Sequence, residues 1–230
     1  MRYNLFTANM KLADLLFANY NLIFILSRFE IKLGFGEKTI EEVCQQYGVS
    51  ASLLLMVANV STYEDYYPGD EEIKSLNVEE LIDYLHISHT YYLEDRMKNI
   101  EMELSDLYVD DRTYGDMLDR FFSEYKNEVI NHFEYEEKTV FPYIKNLIRK
   151  SGSLKYHIDQ FEENHSNIED KLDDLINILM KYLPLTNNEN KREDVLFSIF
   201  LFARDLNKHT LIENKVLIPC VKLIETKHGQ

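Results

Sequence analysis

The sequence predicts an all-α protein, an antiparallel up-down-up-down four-helix bundle preceded by a small N-terminal helical domain. Three observations carry this expectation. The 230 residues include only 7 Gly and 4 Pro, so few positions interrupt a helix. Four stretches carry apolar residues in alternating steps of three and four, the period of a helix with one face in a core. Short polar breaks separate these stretches, and short connections make successive helices antiparallel neighbours.

Residues 1–62 form the small N-terminal domain. Leu12, Leu15, Leu16, Tyr20, Leu22 and Ile23 make a first helical pattern, which Gly34 and Gly36 break. A short helix is predicted over residues 40–46, a turn at Gly48-Val49-Ser50, and a second helix over residues 52–60. Residues 63–76 read as a polar, tyrosine-rich linker with a strong turn signal at Pro68-Gly69. Residues 77–230 are the bundle. Asn77 and Glu80 resemble a capping box at its start. The first stripe reads Val78, Ile82, Leu85, His89, Leu93, Met97, Ile100, and the second Leu118, Phe122, Tyr125, Val129, His132, Glu136, Val140, Tyr143. The third reads Leu154, Ile158, Phe161, His165, Ile168, Leu172, Leu175, Leu179, and the fourth Phe202, Leu206, His209, Glu213, Val216, Cys220. Breaks fall at Asp110-Asp111, at Ser151-Gly152-Ser153 and over residues 184–190.

A formal charge of −15 argues against nucleic acid or an anionic membrane as the main partner. Two cysteines, Cys44 and Cys220, make neither a disulfide framework nor a Cys-x-x-Cys knuckle, and they fit a reducing compartment. There is no signal-peptide pattern at the start and no run of 18 apolar residues. A soluble, cytoplasmic protein without a membrane partner is expected.

The chemistry lies in the polar members of the stripes. A lone histidine on an apolar stripe is usually a hydrogen-bonded core residue. Here four histidines, His89, His132, His165 and His209, fall near the middle of four separate stripes. Two of them begin a His-x-x-x-Glu step, His132 with Glu136 and His209 with Glu213. Residues i and i+4 share a helix face, so each step presents an imidazole and a carboxylate together. A buried carboxylate needs a charge partner, a hydrogen bond or a metal, and no matching Lys or Arg lies in these stripes. Imidazole and carboxylate without thiolate suit iron, manganese or zinc. Four His and two Glu exceed one tetrahedral zinc and suit two octahedral ions bridged by both carboxylates. The remaining positions would go to oxo, hydroxo, water or a small ligand. Two iron ions are the expected cofactor, with manganese or zinc as substitutes.

Neighbouring residues enter as weaker candidates. His86 precedes His89 by one turn and competes with it as ligand. Glu128 and Asp205 lie four residues before His132 and His209 and could orient those imidazoles. Glu137 points about 100° away from Glu136 on an ideal helix and is not expected to bridge. His157 and His228 have no supporting residues around them in the sequence.

Residues from about 78 to 225 resemble the hemerythrin-like cation-binding domain, and most of all the repair-of-iron-centres (RIC) proteins. The segments that carry the resemblance are Leu81-Ile-Asp-Tyr-Leu-His-Ile-Ser-His89, His132-Phe-Glu-Tyr-Glu-Glu-Lys-Thr-Val-Phe-Pro142, Glu163-Asn-His165 and His209-Thr-Leu-Ile-Glu-Asn-Lys-Val-Leu-Ile-Pro219. The resemblance implies His89, His132, His165 and His209 as terminal ligands and Glu136 and Glu213 as bridges of a di-iron centre, oxo- or hydroxo-bridged. It also implies a role in nitrosative and oxidative stress: binding or reducing NO or O2, or supplying iron to damaged iron-sulfur proteins. Two departures narrow this. Oxygen-carrying hemerythrins use a fifth histidine, and Glu169 stands at that position, as an exposed flank, an extra ligand or an outer acceptor. RIC proteins also carry adjacent cysteines before a glycine pair. The corresponding stretch here is Leu33-Gly34-Phe35-Gly36, without them.

Two other readings compete. Residues 40–60 have the rhythm of a helix-turn-helix, which suggests a metal-based sensor with a DNA-binding head. The second of these helices has no Lys or Arg after Val49, whereas phosphate contacts need them, so nucleic acid is disfavoured. A protein-interaction or homodimer role suits the head better. The other alternative is simple iron or oxygen binding without turnover.

Overall fold

The computed structural model describes residues 4–108, 112–150, 156–164, 168, 170–184 and 189–228. The described residues form an all-α helical bundle with no strand among them, and their one β-type contact is an isolated bridge between Lys11 and Thr39. The breaks at Asp110-Asp111 and Ser151-Gly152-Ser153, with Leu154, His165 and Glu169, lie outside the described residues, as does the side chain of His228. The chain divides into two compact units. One comprises Met1–Ser88, Tyr143–Glu163 and Lys208–Gln230; the other comprises His89–Pro142 and Asn164–Asn207.

In the first unit, helices span Leu12–Ala18, Leu22–Arg28, Ile40–Tyr47 and Ala51–Thr62. The loop before Ile40 uses Gly34 and Gly36 at φ of 97° and 65°, backbone that a side chain rarely tolerates. Ile40–Tyr47 starts at a full capping box. The Thr39 hydroxyl accepts from the Glu42 N–H, and the Glu42 carboxylate accepts from the Thr39 N–H at 2.8 Å. Thr39→Ala should therefore lower stability by about 1 kcal/mol, read as a lower denaturation midpoint. The helix ends on Gly48 at φ 67°, and Ser50 caps the next one. The turn geometry is thus that of a helix-turn-helix. Its second helix, however, is the centre of this unit: Leu53, Leu54, Met56, Val57, Ala58, Asn59, Val60 and Ser61 are all buried. A recognition helix must lay an exposed face in a groove; in Ala51–Thr62 only Ser52 is exposed, with Ala51, Leu55 and Thr62 partly so.

Residues 63–76 include one short helix. After Pro68-Gly69 the chain forms the short helix Asp70–Lys74, its start closed by the Gly69 N–H on the Glu72 carboxylate at 2.8 Å. Lys215, 6% exposed, donates to the Glu64 and Tyr66 carbonyls and lies 4.2 Å from the centroid of the Tyr67 ring. Lys208 pairs with the Glu64 carboxylate at 3.0 Å. Burial pushes the Lys215 pKa down, and the nearby Lys208 charge lowers it further. Two cations from one helix therefore clamp this segment. Asn77 caps the next helix by accepting from the Glu79 N–H at 3.0 Å, while its amide meets Glu80 at 3.1 Å.

The second unit holds a continuous apolar core built from Tyr92, Met97, Ile100 and Leu104, from Phe122, Val129 and Phe133, from Leu172, Leu175 and Leu179, and from Val195, Ile199, Phe202 and Leu206. Met97, Ile100, Phe122, Val129, Leu172, Leu175, Leu179, Phe202 and Leu206 belong to the predicted stripes. Leu104 and Ile199 lie one turn beyond them and Val195 two turns, while Tyr92 and Phe133 are core positions beside the stripes, and the predicted Leu93 is only partly buried. Met97–Leu107 packs on Arg112–Tyr135, and Asp170–Asn177 packs on the same helix.

Each long helix carries a five-residue π turn: Tyr92–Arg96, Glu136–Val140, Ile178–Tyr182 and Glu213–Leu217. The N–H groups of Met97, Phe141, Leu183 and Ile218 each reach back five residues, to Tyr92, Glu136, Ile178 and Glu213. Two of these have a clear cause. Pro142 follows Glu136 by six residues, and Pro219 follows Glu213 by six. A proline inside a helix has no N–H and its ring collides with the carbonyl four residues back, here Lys138 and Lys215. Widening the turn relieves the collision. Pro184 stands two residues past the end of the third π turn. Nothing in the structure explains the widening at Tyr92–Arg96.

Candidate metal centre

Four buried residues, two in each unit, have the character of metal ligands: His89 and Glu136 in the second unit, His209 and Glu213 in the first. In the second unit, His89 stands two residues before the end of Val78–Tyr91. His132 lies in the last turn of Arg112–Tyr135, and Glu136 opens the π turn that follows. Glu136 is 0% exposed and His89 is 3% exposed. His89 Nε2 lies 3.0 Å from Glu136 Oε2, and His132 Nε2 lies 2.7 Å from Glu136 Oε1. These are ion-pair distances, yet neither Glu136 oxygen accepts a hydrogen bond from any described residue. The nitrogens come close to the oxygens without aiming N–H groups along their lone pairs. Donor atoms that converge in this way fit a shared cation better than they fit one another.

In the first unit, His209 Nε2 lies 3.2 Å from Glu213 Oε1, with His209 1% exposed and Glu213 0% exposed. The local plan repeats that of His132 and Glu136. The histidine sits in the last α-helical turn and the glutamate begins a π turn. A carboxylate out of reach of water is costly unless a cation or donors satisfy it. A set of imidazole and carboxylate donors without thiolate suits iron or manganese. The residues present therefore fit the expected metal.

A stack of aromatic rings encloses His89. Phe133 lies face to face with the imidazole at 4.1 Å between centroids and 14° between planes. Phe141 lies nearly parallel to it at 5.6 Å and 5°. Tyr92 follows Phe133 at 6.0 Å and meets Phe202 edge-on at 5.8 Å. The Tyr92 hydroxyl donates to the Asp205 carbonyl at 3.2 Å. These rings keep water from one side of the imidazole and fix its plane.

The weaker candidates fare differently. His86 is exposed, as is His157. Glu128 is half-exposed and pairs with Lys171 rather than with an imidazole. Asp205 engages Tyr92 through its backbone oxygen. Burial pushes the Cys44 and Cys220 thiols up to about 11, so both stay protonated at neutral pH and neither supplies the reactive thiol that the glycine loop lacks.

One residue escaped the sequence reasoning. The Glu137 carboxylate accepts from His89 Nδ1 at 2.7 Å. An ideal α-helix turns Glu137 away from Glu136, but both sit in the π turn Glu136–Val140, where the angular step per residue is smaller. Pro142 was the available signal, because a proline six residues on predicts a widened turn.

Comparison with known proteins agrees with this plan. Residues 80–221 match the hemerythrin HHE cation binding domain. No curated protein matches the chain. No helix among the described residues is long and apolar enough to cross a membrane. A match over more than half of the chain, together with buried His/Glu pairs of the kind this domain uses for a metal, typically iron, leads to one conclusion: the chain belongs to the hemerythrin HHE cation-binding family.

Proposed function

We propose that His89, His132, His165 and His209, with Glu136 and Glu213, hold a di-iron centre that engages a small diatomic, NO or O2, in the nitrosative and oxidative stress response. The observation that carries this reading is the buried Glu136 carboxylate, approached by two imidazole nitrogens yet accepting no hydrogen bond from a described residue. Glu136 and Glu213 would bridge the ions; His89, His132, His165 and His209 would complete their coordination. Two irons, when bound, supply paired one-electron redox chemistry and coordination positions open to a diatomic. The chain's own contribution is to hold the ligands rigidly and to keep the pocket dry. The stack of Phe133, Phe141 and Tyr92 does the latter beside His89. A dry pocket strengthens each charge interaction inside it.

The likeness to RIC proteins motivates the choice of NO over simple oxygen carriage, as does Glu169 in place of a fifth histidine. Damaged iron-sulfur proteins are the proposed recipients if the iron is released rather than used in place. No observation favours the sensor reading, because the second helix of the head is buried.

Metal analysis with spectroscopy tests this. Purified protein loaded anaerobically should hold about two irons per chain, the number that two bridging carboxylates imply. Its oxidised spectrum should change on adding NO. A chain that holds one ion, or prefers zinc under iron-replete conditions, would overturn the di-iron reading.

A further inference from the structure

We propose that Glu137 is a positioning residue of the centre: its carboxylate holds the Nδ1 proton of His89 and so aims the Nε2 lone pair at the metal. The inference rests on the di-iron reading and adds to it a residue outside the expected ligand set.

The argument begins with the freedom that an imidazole has. Stacking against Phe133 and Phe141 fixes the plane of the His89 ring, at 14° and 5° to theirs. Stacking does not decide which ring nitrogen carries the proton, nor hold the ring against rotation within its own plane. A hydrogen bond in that plane settles both. Glu137 provides it: a carboxylate can only accept, so at 2.7 Å the Nδ1 atom is the donor. The opposite nitrogen agrees. His89 Nε2 lies 3.0 Å from Glu136 Oε2, and that oxygen accepts no hydrogen bond from a described residue. In the neutral ring with its proton on Nδ1, Nε2 is the nitrogen that carries the lone pair.

Two consecutive carboxylates thus address the two nitrogens of one ring, Glu136 on the Nε2 side and Glu137 on the Nδ1 side. In a regular α-helix the two side chains diverge by about 100°. The π turn Glu136–Val140 brings both to His89. Glu137 is partly exposed, 30% against 0% for Glu136, so it meets water while Glu136 stays enclosed. A charged acceptor on Nδ1 makes the imidazole a stronger donor through Nε2 and favours the higher oxidation state of its ion.

Three variants test this: Glu137→Ala, Glu137→Gln, and Glu134→Ala as a control. Glu134 is an exposed residue that pairs with Lys138 at 2.7 Å. Iron(II) affinity is measured by competition with a chelator, the His89 tautomer in the metal-free protein by nitrogen-15 NMR, and the reduction potential of the loaded protein by titration. Glu137→Ala should weaken iron binding roughly ten- to a hundredfold, the usual effect of removing such a partner. It should also shift the potential upward and abolish the uniform Nδ1–H signal. Glu137→Gln, whose amide oxygen can still accept, should restore the tautomer but not the potential. Glu134→Ala should match the wild type in all three. A merely structural role would leave tautomer and potential unmoved. If the wild type binds two irons and Glu137→Ala keeps its affinity within about twofold with an unchanged tautomer, Glu137 has no positioning role. If the wild type binds no iron pair, the di-iron reading falls and this inference falls with it.

Discussion

Replacing Glu136 and Glu213 together by alanine is expected to abolish metal binding, from about two ions per chain to none. Both carboxylates are fully buried and each lies beside an imidazole in its own unit. Without them, each ion would lose both bridging oxygens and keep only imidazoles. The loss should also appear in stability. A ligand that binds only the folded state stabilises it by about 4 kcal/mol at a thousandfold excess over its dissociation constant. For a chain of this size that raises the melting temperature by roughly 10 °C. Wild-type protein should gain that increment with iron(II), and the double variant should gain nothing. The comparison is made within each variant, with and without metal, so any change in metal-free stability from losing two buried charges cancels. A double variant that still carries two ions would rule out both residues as bridges.

The second large effect separates packing from metal orientation. Phe133→Ala and Phe202→Ala each remove a buried ring from the same core, where such truncations cost about 3–5 kcal/mol. Both rings contact Tyr92, and Phe133 also lies against two imidazoles, at 4.1 Å from His89 and 5.7 Å from His132. The two variants should therefore unfold at similarly reduced denaturant midpoints. They should part in iron affinity. Phe133→Ala frees the plane of His89 and should lose a further factor of roughly ten or more, whereas Phe202→Ala should stay within about threefold of wild type. Equal affinities in the two variants would show that the ring stack only fills space.

The legible parts of this protein are those that depend on local spacing. His132 with Glu136 and His209 with Glu213 are four apart, and a helix sets residues four apart side by side whatever surrounds it. The close approach of each pair follows from that alone. The core positions Ile100, Phe122, Val129, Leu172 and Phe202 were legible for the same reason, since burial follows the helical period. The helix-turn-helix geometry of residues 40–62 was local too, set by the αL residue Gly48 and the cap at Ser50. That most of its second helix lies buried was not, because such burial depends on neighbours distant in sequence.

Glu137 shows the same limit at the candidate centre. Its reading as a side chain pointing away assumed a regular helix, and the π turn before Pro142 removes that assumption. Its bond to His89 also spans 48 positions in sequence, so no local rule could have paired them. Residues 63–76 read as a linker because they are polar and contain Pro68-Gly69. Contacts of Glu64 and Tyr66 with Lys208 and Lys215 join positions about 150 residues apart, which no local pattern shows.

By itself, the sequence determined the all-α class, the faces of the helices, and the two His-x-x-x-Glu pairs, because each depends on periodicity or on spacings of a single helical turn. Tertiary structure alone decided which second carboxylate grips His89, which rings hold its plane, and that most of the head's second helix is buried. Those outcomes depend on contacts between residues far apart in the chain and on a helix locally widened by proline, neither of which a regular period encodes.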